Sequence, residues 1–227
     1  MYRINIDEID SDGAVREAAD AVAGDTRLDF LRKAGIAGGG ILAGGALLGA
    51  LAPAAMAAGN PPKTFGAGDI GILNYALTLE YLESAFYNQA TAGGKITSPQ
   101  LKIFLKTTTQ DERDHVAFLK KALGSKAVKS PKFDFKGIPT NEKMFAATAQ
   151  VLENTGVHAY LGQVGNIKNP SYLLAAASIM PVEARHAGAI GLINNTGGGI
   201  SPSGSFDSPL SAAAVLKAVE GTGFIVS

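Results

Sequence analysis

Two segments of the chain repeat one unusual arrangement. In "DERDHVAFL", Asp111 to Leu119, and in "VEARHAGAI", Val182 to Ile190, a glutamate stands three residues ahead of a histidine. Residues three apart share one face of a helix about a turn from each other, so Glu112 with His115, and Glu183 with His186, can each aim two donors at one point. Each pair occupies the middle of an apolar stripe. Leu101, Leu105, Thr108, Glu112, His115 and Leu119 follow steps of three and four, as do Ala176, Ile179, Glu183, His186, Ile190 and Ile193, the seam spacing of packed helices. Ionisable groups on an inward face must be neutralised there, and a bound cation does so.

Composition narrows what that cation can be. The chain has no cysteine, which removes disulfides, thiolate zinc sites and cysteine nucleophiles. Any metal must be held by carboxylate and imidazole, a set suited to iron, manganese or zinc. With 20 basic and 20 acidic residues the net charge is zero, so no basic excess is present to neutralise phosphates, and no nucleic-acid partner is expected.

The remainder of the chain organises around these pairs. After the linker "GNPPKTFGAG" the helical period predicts four long helices: roughly Gly68 to Thr91, Pro99 to Leu123 with Ser98 as N-cap, Asn141 to Asn166, and Pro170 to Asn195. Residues 125–139 read as a connection, and "SPLSAAAVLKAVEG" as a short fifth segment. Four helices of this length with short or moderate connections predict an all-α, antiparallel four-helix bundle with a short extra C-terminal helix, spanning residues 60–227. Two further glutamates sit in mid-helix. Tyr87 follows Glu80 by seven residues and Tyr160 follows Glu153 by seven, while Glu80 precedes Glu112 by 32 and Glu153 precedes Glu183 by 30. The chain therefore reads as two similar helical hairpins, each supplying one lone glutamate and one Glu-x-x-His.

In this order of motifs the chain resembles the ferritin-like superfamily of di-metal carboxylate bundles, whose pattern is one glutamate from each of two helices and Glu-x-x-His from the other two. "LNYALTLEYLESAFY", "ERDHVAFL", "LENTGVHAY" and "VEARHA" are more specifically similar to exported members that include desiccation-related proteins. The resemblance covers about residues 66–226. It implies two iron or manganese ions held by Glu80, Glu112, His115, Glu153, Glu183 and His186. It also implies redox chemistry with dioxygen or peroxide in stress protection, or else a non-catalytic, metal-stabilised structural protein. The implied partners are the metal ions, dioxygen or peroxide, and a homo-oligomer; an iron-storage shell ranks last. Four carboxylates and two divalent ions sum to zero charge, so metal binding should stabilise the fold.

Neighbouring residues have plainer readings. Glu83 lies one turn from Glu80 and shares its face, as a spare ligand or a residue behind the ligands. His158, about 140° round the helix from Glu153, faces away as a surface or packing histidine. Tyr87 and Tyr160 are core residues that can donate to the ligands, and Asp111 and Asp114 are solvated charges that can also orient an imidazole. Pro181 should kink the fourth helix.

Residues 1–59 form a separate region. A polar, acidic stretch leads to "TRLDFLRKAG", Thr26 to Gly35, and then to an uncharged run, Ala34 to Gly59, rich in alanine and glycine. "AAMAAG" offers the small-x-small pattern of a signal-peptidase site at Ala55 and Ala57. The region resembles a twin-arginine export signal, with Leu28 where the second arginine would stand. The expectation is a protein exported to the periplasm or beyond, membrane-attached only if the leader is uncleaved.

Overall fold

Capping residues cut the chain into helices. A computed structural model describes residues 59–195, 200–201 and 204–226. The leader expected in residues 1–59 lies, apart from Gly59, outside the described residues. Helix α1 (Gly68–Gly93) ends where Gly94 turns left-handed at φ 60° and its N–H closes on the carbonyls of Ala90 and Thr91. Helix α2 (Pro99–Leu123) begins at Ser98, whose hydroxyl accepts from the Leu101 N–H, with Pro99 in the first turn, where its missing N–H has no helical partner to lose. Asn141 caps α3 (Glu142–Val164) by accepting from Met144, and Asn169 caps α4 (Pro170–Ile193) by accepting from Ser171. Helix α5 (Ala212–Thr222) starts at Ser211, which accepts from Ala214.

Helix α1 packs along α2, and α3 along α4; the two hairpins meet through α2 against α4 and α1 against α3. The result is the expected four-helix bundle, with α5 laid on α3. Helix α4 continues through Pro181. Pro181 and Ala177, whose carbonyl loses its helical donor, are both exposed, so the missing hydrogen bond faces water.

Residues 125–139 are more than a connection. Lys132–Phe133 forms strand β1, which pairs antiparallel with β2 (Ile225–Val226) in the register Lys132 to Val226 and Phe133 to Ile225. Beside it Phe135 is buried against Phe86 and Phe224, edge to face. The segment entering α5 crosses α3 at Gly162, where a Cβ would lie 1.9 Å from the Leu210 carbonyl oxygen. The Leu210 N–H donates to the His158 carbonyl at 3.0 Å in the same crossing.

Apolar residues fill both ends of the bundle. Phe86, Leu105, Phe145, Ala149 and Ile190 belong to one buried cluster, and Leu77, Leu119, Tyr160 and Ile179 to another. On every long helix the acidic and imidazole positions fall between these clusters. Each fully buried side chain of this size contributes about 1.5–3 kcal/mol, which offsets the cost of burying acids between them. Among the described residues no helix is long and apolar enough to cross a membrane.

Candidate metal centre

Each helix brings one or two acids to the middle of the bundle. Glu80, Glu112, Glu153 and Glu183 are fully buried; His115 and His186 are 8% and 6% exposed. These six residues form two groups that could each hold a metal ion: Glu80, Glu112, His115 and Glu183, and Glu112, Glu153, Glu183 and His186. Within each group the donor atoms lie within 4.8 Å of one another.

The two groups share Glu112 and Glu183, and they share them atom by atom. Nδ1 of His115 lies 3.2 Å from Glu80 Oε2, 3.3 Å from Glu112 Oε2 and 2.9 Å from Glu183 Oε1. Nδ1 of His186 lies 3.2 Å from Glu112 Oε1, 3.3 Å from Glu153 Oε2 and 3.9 Å from Glu183 Oε2. Each shared carboxylate thus turns one oxygen to each imidazole, and the ring centroids are 6.4 Å apart.

Several of these atoms are buried without a hydrogen bond: Glu112 Oε1, Glu153 Oε2, both oxygens of Glu183, and His186 Nδ1. Buried polar atoms are nearly always paired, and here the facing groups are other carboxylates and imidazoles of the same cluster, so their convergence on one volume fits a cation. The donor set, carboxylate oxygen and imidazole nitrogen, suits a hard or borderline transition metal.

The remaining lone pairs are held by side chains behind the site. Tyr160 Oη donates to Glu80 Oε1 at 2.5 Å, and Tyr87 Oη donates to Glu153 Oε1. The seven-residue spacing marks both tyrosines, but the pairing is crosswise: each bonds the glutamate of the opposite hairpin. Asp111 Oδ2 lies 3.0 Å from His186 Nε2, so Asp111 fixes that imidazole rather than standing as a solvated charge. Asp114 accepts from Gln110 on the exposed face of α2. His158 joins neither group; its Nε2 faces Asp207 at 3.8 Å.

Glu83 is buried beside the site but belongs to neither group. Burial, and then the charges of Glu183, Glu153, Glu112 and Glu80, hold its carboxyl well above the usual range, which favours its neutral form. Burial and the neighbouring carboxylates do the same to Glu183. Glu112 is pushed up to about 7 by burial, against contacts with His115 and His186 that favour its charged form. Burial would also raise Glu80, but His115 and Tyr160 outweigh it and the net shift is downward. Burial would lower both histidines, yet their carboxylate contacts hold His115 far above its ordinary value and push His186 up to about 11. Protons on the two imidazoles thus balance part of the acidic charge, and a metal would take their place.

A family model described as ferritin-like domain matches residues 68–195. No curated protein sequence matches the chain significantly. Among solved structures the chain is similar to a conserved hypothetical protein from Mycobacterium tuberculosis, at 17% identity and a TM-score of 0.48, covering 56% of this chain and 91% of that one.

Proposed function

The chain belongs to the ferritin-like domain family, and on that premise we propose that Glu80, Glu112, His115, Glu153, Glu183 and His186 hold two ions of iron or manganese for redox chemistry with dioxygen or peroxide. The observation that carries the proposal is the division of Glu112 and Glu183, each of which gives one oxygen to each imidazole. When bound, a pair of such ions would supply two electrons to a single oxidant molecule. Within this reading Glu80, Glu112, His115 and Glu183 would hold one ion and Glu112, Glu153, Glu183 and His186 the other. Tyr160 and Tyr87 hold Glu80 and Glu153 in place, Asp111 orients His186, and Glu83 lies buried beside the ligands. The apolar clusters at both ends keep bulk water out.

Elemental analysis of natively purified protein, followed by addition of oxygen or peroxide to Fe(II)- or Mn(II)-loaded protein, tests the proposal. Two ions per chain and turnover are expected; absence of both overturns it. Full burial of the four carboxylates favours a second reading, a metal-stabilised stress or desiccation protein in which the ions only staple the fold. Metal-dependent melting without any redox reaction selects that alternative. The region 1–59 supports export, so we place the protein outside the cytoplasm in stress protection. N-terminal sequencing of the mature protein checks this, and an intact Met1 on a soluble cytoplasmic form contradicts it.

A further inference from the structure

Gly156 lies on α3 three residues after Glu153, buried on the face that carries Glu153 and Tyr160. A glycine inside a helix is destabilising relative to alanine, so a buried one calls for a reason. Two other helical glycines have steric ones. A Cβ at Gly162 would lie 1.9 Å from the Leu210 carbonyl oxygen, and one at Gly188 would lie 3.1 Å from that of Ile200. Gly156 differs. A Cβ there would meet nothing closer than 3.5 Å, and its three nearest neighbours are carboxyl oxygens: Glu83 Oε1 at 3.5 Å, Glu183 Oε2 at 3.6 Å and Glu83 Oε2 at 3.8 Å. Alanine therefore fits by packing alone. What glycine preserves is a space about one methyl group wide between two carboxyl groups. One of its walls, Glu183 Oε2, is fully buried and makes no hydrogen bond.

We propose that Gly156 keeps the α3 side of the metal centre open to a small exogenous ligand, a diatomic oxygen species held between Glu83 and Glu183. The proposal rests on the metal reading above. The space is too narrow for an organic substrate, and of its two walls Glu83, which joins neither metal group, is the one free to make a polar contact with an oxygen ligand. A methyl group at position 156 would occupy that space while leaving all six proposed metal-binding side chains unchanged.

The test compares wild type with Gly156→Ala in four measurements. These are melting of the metal-free protein, metal content, azide titration of the Fe(III)-loaded form by its charge-transfer absorption, and nitric oxide titration of the Fe(II)-loaded form. Gly156→Ala is expected to melt no lower than wild type and to retain two ions. It should bind azide, nitric oxide or both at least tenfold more weakly. Loss confined to azide supports a peroxide-class ligand, and loss confined to nitric oxide supports dioxygen. Unchanged affinity for both probes overturns the proposal, as does a variant that melts lower or fails to load, because the glycine would then serve packing. Wild-type protein that takes up no metal overturns this proposal together with the metal reading; the other adverse outcomes leave that reading intact.

Discussion

Replacing Glu112 by glutamine should have opposite effects on the metal-free and metal-loaded protein. Glu112 is buried between two imidazoles and pushed up to about 7 from an ordinary 4.5, burial being the largest cause. A carboxyl whose folded pKa exceeds its unfolded value contributes its full stabilisation below the unfolded value and loses it as pH rises through the folded one. At about 1.4 kcal/mol per pH unit, the interval from 4.5 to about 7 amounts to at most about 3 kcal/mol lost by metal-free wild type. Glutamine keeps the shape of the neutral acid and cannot ionise. The stability of metal-free Glu112→Gln relative to wild type should therefore rise between about pH 4.5 and pH 8, by up to about 3 kcal/mol. Urea denaturation followed by far-UV circular dichroism, with a chelator present, reads this difference directly. Metal content measured on the same variant should fall, because Glu112 offers an oxygen to each group. A stability difference that stays flat or declines with rising pH would refute the electrostatic reasoning.

Other perturbations probe the surroundings of the site. Tyr160→Phe and Tyr87→Phe each remove a buried hydroxyl bonded to a carboxylate and should each cost about 2 kcal/mol in denaturation experiments; a neutral result would show that those carboxylates are satisfied otherwise. Gly162→Ala drives a methyl into the Leu210 carbonyl, so a loss of about 1–3 kcal/mol and earlier proteolysis of the segment entering α5 are expected. Wild-type protease resistance would contradict that crossing. Asp111→Ala frees His186 Nε2 and should weaken metal binding about 10- to 100-fold in chelator competition; unchanged affinity would remove Asp111 from the centre.

The helices and the six central side chains were legible because each carries a local signal. Ser98, Asn141 and the prolines at 99 and 170 mark helix starts, and the three-and-four spacing marks the inward face. Partners on other helices carry no such signal. The hydroxyl of Tyr87 crosses to Glu153 rather than to Glu80 on its own helix, and Asp111 reaches His186 on α4 rather than the neighbouring His115. Glu83 shares the face of Glu80, so spacing alone does not separate them; in the fold Glu80 joins one of the two donor groups, while Glu83, which lies against Gly156 of α3, joins neither. The β1–β2 pair escaped notice for a different reason: two residues are too few to show an alternating period, and the partner strands are far apart in sequence, one between α2 and α3 and the other after α5.

A crystal structure of the protein soaked with Mn(II), with an anomalous difference map, tests the central claim most directly. Two peaks about 3.5–4 Å apart are predicted, one among Glu80, Glu112, His115 and Glu183 and the other among Glu112, Glu153, Glu183 and His186. A single peak, or none within this cluster, would contradict it.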